Sequence, residues 1–163
     1  MRTDLRIILL MLVPAVAVSC HVKETRDKAN LKTELPVIEE TIRAAIGWAK
    51  DKDFSLLYSV IANDSNYLEV SPTARITRGF AQFRENETFW KSPDFKAIGY
   101  EIRDLVVNLS ETGNVAWYYC VLDDINEWKG TPANWMNTRW TGVLEKRNDH
   151  WIIAQMHFSF AVD

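Results

Sequence analysis

The sequence predicts one α+β domain of the helix-on-sheet kind, and three observations carry that prediction. Apolar residues recur at helical spacing between Leu35 and Ala49, and the chain from Phe95 onward reads as strands. It closes on a hairpin, Thr138 to Phe160, two runs rich in β-branched and aromatic residues around the polar turn Lys146-Arg147-Asn148-Asp149. On the second of these strands Ile152, Ala154, Met156 and Phe158 form a wholly apolar set, and Trp151, Ile153, Gln155, His157 and Ser159 a mixed one. So much apolar area places the hairpin at the centre of a sheet covered on at least one face. The 163 residues suit one domain with a leader, and seven Trp, five Tyr and seven Phe supply a core. A formal charge of −3, with no basic stripe interleaved with aromatics, argues against nucleic acid as a partner.

Residues 1–19 have the pattern of a signal peptide. Arg2 and Arg6 precede and open an apolar run ending at Val18, which is too short for a span of about 20 residues. Ala17-Val18-Ser19-Cys20 then resembles the lipobox of bacterial lipoproteins. That resemblance implies lipid on Cys20 and a lipid-anchored place in the bacterial cell envelope, at either membrane or the cell surface. Only Cys120 is then left as a thiol, and its aromatic strand context reads it as a small buried hydrophobe. Residues 20–33 are polar and are expected to form a flexible tether, which leaves residues 34–163 as the domain.

Leu35, Ile38, Ile42, Ala45, Ile46 and Ala49 form the apolar stripe of a first helix, with Pro36 in its first turn. Trp48 lies beside that stripe, either at the edge of a cavity or finishing the core. Asp53 is the expected cap of a second helix that puts Phe54, Leu57, Tyr58 and Ile61 on one face. Tyr67 to Val70 and Arg75 to Thr77 read as short strands around the turn Ser71-Pro72-Thr73-Ala74. A third helix is expected from Gly79 to Lys91, carrying Phe80, Phe83 and Trp90 and stopped at Ser92-Pro93. Strands over Phe95 to Leu109, Val115 to Ile125, Met136 to Lys146 and Trp151 to Phe160 follow, separated by Glu111-Thr112-Gly113-Asn114 and Lys129-Gly130-Thr131-Pro132.

Several of these segments together resemble the nuclear transport factor 2-like superfamily, most closely its SnoaL-like branch. They are Asp53-Phe54 with Asp64, Arg78-Gly79, Gly113-Asn114-Val115-Ala116-Trp117, Arg139-Trp140-Thr141 and the closing Trp151 to Ser159, and the likeness covers about Leu35 to Phe160. The resemblance implies a cone: three helices on a strongly curved, mainly antiparallel sheet of about four to six strands, with a largely apolar pocket between them. It also implies pairing through the outer face of the sheet, so a homodimer is expected. One such shell serves isomerases, cyclases, dehydratases and proteins without catalysis.

The resemblance also points to residues. Compared with ketosteroid isomerases, Glu69 falls at the place of the general base, where an apolar cavity would raise a carboxyl and let it shuttle a proton. The oxyanion tyrosine of those enzymes is replaced by Ala45, and their protonated acid falls near Thr141 or Gly142. By the same resemblance Trp117, Tyr119, Val121 and Asp123 face the cavity, and Ala116, Tyr118, Cys120 and Leu122 face away from it. Arg139 stands where relatives often carry an arginine, suited to a carboxylate. His157 matches the second histidine of a His-X-His-X-Ser ending whose first histidine is Gln155 here. Glu69, Asp123 and His157 are thus the candidate acid/base residues, and Trp48, Tyr58, Tyr67, Trp90, Trp117, Tyr119, Arg139 and Gln155 the candidate ligand contacts. No metal or cofactor is expected, since His21, His150 and His157 are the only histidines and do not form a ligand set.

Three functions follow. The first is a membrane-anchored lipoprotein whose cone binds a small, partly apolar molecule or a partner without catalysis. The second is a proton-transfer enzyme of isomerase, dehydratase or cyclase type, and the sequence leans away from it because donors for an oxyanion are missing. The third is a dimerisation unit using the face that bears Tyr118, Cys120 and Leu122.

Overall fold

The computed structural model describes the backbone of residues 16–161 and the side chains from residue 32 onward. Most of the expected signal segment, residues 1–15, therefore lies outside the described residues. Helix α1 runs Val16–Gly47, so the stretch 20–33, expected as a flexible tether, is helical. Three Lys with one each of Glu, Arg, Ala and Leu, all strong helix formers, make up half of that stretch. Pro36 consequently sits inside the helix rather than in its first turn, and its missing N–H leaves the Lys32 carbonyl without an intrahelical donor. None of the described helices is long and apolar enough to cross a membrane.

Helix α2, Phe54–Val60, starts at Asp53, whose carboxylate accepts from the Leu56 amide at 3.0 Å as expected of the cap. Strands β1 (Leu68–Val70) and β2 (Ile76–Arg78) follow. The expected third helix is two short ones, α3 (Gly79–Arg84) and α4 (Glu87–Lys91). The break falls where Asn86 turns inward, buried, to accept from the Arg75 guanidinium. Strands β3 (Phe95–Leu109), β4 (Val115–Trp128), β5 (Thr131–Pro132), β6 (Trp135–Arg147) and β7 (His150–Ser159) complete the chain, and only the two-residue β5 was not expected.

The sheet runs β2-β1-β7-β6-β4-β3, with β5 added to β4. The β6–β7 hairpin is central, and its turn is only Asn148-Asp149, both left-handed at φ 49° and 63°, which suits the twist of a tight hairpin. Pairing is antiparallel except between β1 and β7. Extra residues interrupt the ladders at Ile98 and at Asp104-Leu105 in β3, at Met136-Asn137 in β6 and at Ala154 in β7. Each such bulge bends its strand and increases its twist, and together they curl the sheet into a half-barrel around α1.

The bulge at Ala154 also decides which face of β7 is inside. Trp151 and Ile153 are buried before it, and Met156 and Phe158 after it. The core set is therefore drawn from both of the sets expected from simple alternation, because one extra residue exchanges the faces. On β4 the buried run is Ala116, Tyr118, Cys120 and Leu122. Facing them, α1 buries Ile38, Thr41, Ile42 and Ala45, and the turn that follows it buries Trp48 and Ala49. Cys120 is wholly inaccessible, and burial pushes its thiol up to about 12.

Two contacts fix the helix and the sheet. Glu34 on α1 accepts from Lys146 Nζ at 2.7 Å and from the Trp151 indole at 2.6 Å, and these donors hold its carboxyl below the usual range. On the concave face the Tyr118 ring lies across Gly142. A Cβ there would sit 2.5 Å from the ring and 2.7 Å from the Gln155 carbonyl oxygen. We expect Gly142→Ala to destabilise the fold by about 1–3 kcal/mol through this overlap, read as a lower denaturant midpoint; an unchanged midpoint would show that the ring moves away freely.

Candidate functional site

A cavity of about 420 Å³ opens between the C-terminal half of α1, helices α3 and α4, and strands β1, β3, β4, β6 and β7. Its apolar wall is a set of rings in edge-on or tilted contact. Trp48 meets Trp90 at 5.0 Å between centroids, Phe83 meets Trp90 at 5.2 Å, and Trp135 meets Phe158 at 5.6 Å. Such offset geometry lets the ring quadrupoles attract one another and stiffens the wall. Phe89, Phe95 and Met156 add to the same lining.

Polar groups enter at three places. Glu69, on β1, is half-buried and faces the cavity. Desolvation raises its carboxyl above the ordinary range, opposed by the Tyr67 hydroxyl, which donates to it at 3.1 Å, and by the charge of Arg75. Asp124 and Asn126 project from β4. Burial raises the Asp124 carboxyl too, opposed by the side-chain amide of Asn126. Asn126 is itself buried, and its Oδ1 has no hydrogen-bond partner. At the mouth stand Ser71 and Thr73 from the β1–β2 turn, with Arg75 donating to Asn86. Among the described residues no group of three His, Cys, Asp and Glu side chains is placed to hold a metal ion.

Of the residues singled out in the sequence, Trp48, Glu69 and Trp90 line this cavity. Tyr67 is buried behind Glu69 and reaches it through its hydroxyl. Tyr58 is committed elsewhere: its hydroxyl donates to Glu87 at 2.5 Å, and burial with that carboxylate pushes it up to about 12.

The expected direction of β4 is reversed. Trp117 and Tyr119 are 47% and 39% exposed on the convex face, whereas Tyr118, Cys120 and Leu122, expected to face outward, fill the interior. The evenly numbered run is the more apolar of the two, and that was the available signal for its burial. The same parity leads on to Asp124 and Asn126, which the sequence reading missed along with Arg75, Asn86 and Trp135.

Asp123 is likewise on the convex side. Its carboxylate accepts from Arg103 at 2.7 Å and from the Asn137 backbone amide at 2.7 Å, so it clamps the β6 bulge. His157 and Gln155 also leave the cavity, because the Ala154 bulge turns them to the outer face, where His157 is in register with Thr141 and through it with Tyr119. Arg139 donates to the Phe160 carbonyl at 2.6 Å, exposed and away from the pocket.

Residues 38–163 match the family model described as a SnoaL-like domain. No curated protein matches the sequence. Among solved structures, a candidate dehydratase of the NTF2-like family from Streptomyces avermitilis aligns over 81% of this chain and 99% of its own, with TM-score 0.69 and 16% identity. A candidate scytalone dehydratase from Novosphingobium aromaticivorans covers 83% and 93% with TM-score 0.68 and 9% identity. A candidate ketosteroid isomerase from Shewanella frigidimarina covers 74% and 92% with TM-score 0.57 and 15% identity. At these identities the likeness is one of fold, and it includes the expected curved α+β cone.

The raised carboxyl of Glu69 has a thermodynamic sign. A carboxyl whose folded value lies above its unfolded one binds protons more tightly in the folded state, so stability falls as pH rises through the folded value. Glu69→Gln keeps the acceptor for Tyr67 and removes the charge. Its thermal midpoint is expected to exceed that of the parent at neutral pH, with the gain shrinking as pH falls from the raised folded value to the ordinary carboxylate range and gone below it; a midpoint lowered equally at every pH would contradict this.

Proposed function

The chain belongs to the SnoaL-like domain family, and on that premise we propose that its cone binds a small, partly apolar molecule. The observation that carries this reading is the ring-walled cavity of about 420 Å³, a size within the roughly 300–1,000 Å³ of ordinary ligand sites. Flat apolar faces supply area, and Glu69, Asp124 and Asn126 set orientation. The place of action in this reading is the bacterial envelope, with the chain anchored through lipid on Cys20.

A second reading, proton transfer on the bound molecule, is favoured by Glu69, a desolvated carboxyl open to the cavity and touched by a tyrosine hydroxyl. Asp123 and His157 drop out of this reading because of where they point, and Asp124 becomes the available second carboxyl. Among the described residues no pair of donors aimed at a developing oxyanion accompanies them, so binding without turnover is the preferred reading.

The outer face of the sheet suits a second copy of the chain. Val106, Trp117 and Tyr119 are 53%, 47% and 39% exposed there, an apolar strip more extensive than solvent contact alone favours.

Two outcomes are expected. A neutral naphthalene alcohol binds the purified chain saturably, Ala133→Trp at the mouth weakens it about tenfold (~1.4 kcal/mol), and the compound is recovered unchanged. Absence of saturable binding would sink the pocket reading, and recovery of a product would favour the enzyme. Separately, Cys20→Ser moves the chain from the membrane to the soluble fraction, where it sediments as a dimer that Tyr119→Asp converts to monomer. Retention in the membrane argues against the lipid, and a monomeric Cys20→Ser chain against the pairing.

A further inference from the structure

Among the described residues the cavity lining carries two carboxyls, Glu69 and Asp124, against one cation, Arg75, and the imbalance is sharpest on β4. Asp124 has no cation among the causes acting on its carboxyl, only burial and the amide of Asn126. That contact also fixes the orientation of the Asn126 side chain, since the Nδ2 must point at the carboxylate and the Oδ1 away from it. The Oδ1 so placed is an orphan acceptor on a side chain only 7% exposed. A buried acceptor without a donor has lost its hydration with nothing in return, a cost that a ligand N–H would relieve. Across the ladder the partner of Asp124 is Trp135, whose ring also lines the cavity. The one cation in the lining, Arg75, is exposed at the mouth and turned to Asn86.

We propose that Asp124, Asn126 and Trp135 form a subsite for the ammonium group of a primary amine that carries an aromatic or alicyclic ring. The proposal rests on the pocket reading above and names the class of its occupant. The Asp124 carboxylate and the Asn126 amide oxygen, from residues two apart on one face of β4, each offer an acceptor to an ammonium hydrogen, and the face of an indole attracts the same charge. The remaining rings, Trp48, Trp90 and Phe158 among them, take the apolar body of the ligand. A carboxylate ligand is disfavoured in the same place, because it would bring a third negative charge beside Glu69 and Asp124 with only Arg75 to offset them.

Three probes of one shape test this on the full chain in detergent: 1-naphthylmethylamine, 1-naphthalenemethanol and 1-naphthoate, with affinities read by calorimetry. The amine is expected to bind about tenfold or more tighter than the alcohol, from the charge-assisted hydrogen bonds, and the naphthoate weakest. Asp124→Asn brings the amine close to the alcohol, and Asn126→Leu narrows the same ratio, each checked for folding by its thermal melt. The comparison of the three probes on the parent protein stands even if both variants fail to fold. Alcohol binding as tight as amine binding overturns the amine subsite while leaving the pocket reading in place. If none of the three binds, the pocket reading falls and this inference with it. Loss of the amine preference in Glu69→Gln but not in Asp124→Asn overturns the placement on β4.

Discussion

The cavity depends on a carboxylate that never touches it. Asp123, on the convex side of β4, receives the Arg103 guanidinium and the Asn137 amide, each at 2.7 Å, and so holds the left-handed residue that interrupts β6. After that interruption Thr138 and Trp140 face inward; before it Trp135 does. The clamp therefore turns a ring into the pocket that regular alternation would have placed outside. Asp123 is a positioning group for the wall, which explains how a buried acid can be needed by a site it does not enter.

The same logic governs the rest of the sheet. Each bulge shifts one strand against its neighbour and swaps the side that its residues present, so curvature and lining are set together. Glu34, through Lys146 and Trp151, then holds α1 across the concave face. Between these restraints the aromatic side chains can only partly fill the space, and the remainder is the cavity.

Much of the fold was legible in the sequence because its signals are local. The helical stripe from Leu35, the Asp53 cap and the strand boundaries depend on periodicity and turn chemistry within a few residues, and the structure places the strand ends within a residue of expectation except that β4 runs on from Ile125 to Trp128. The site was less legible because its signals are not local. Whether Trp117 or Tyr118 is inside depends on the register of a sheet partner distant in sequence, and whether His157 faces the pocket depends on one inserted residue, Ala154. Glu69 could be found through a family resemblance, whereas the Asp124–Asn126 pair required knowing which parity of β4 is buried. Helix α1 exceeded its expected start for a simpler reason: polar composition alone does not distinguish a solvated helix from a loose tether.

Strand β3 ends the sheet on one side, fifteen residues long and paired on one flank only. A flat edge of that length would offer a continuous template for another chain's backbone. The irregularities at Ile98 and Asp104 break the template into short, twisted pieces. The distortions that shape the hollow on the inside thus also guard the rim against runaway self-association and fibre growth.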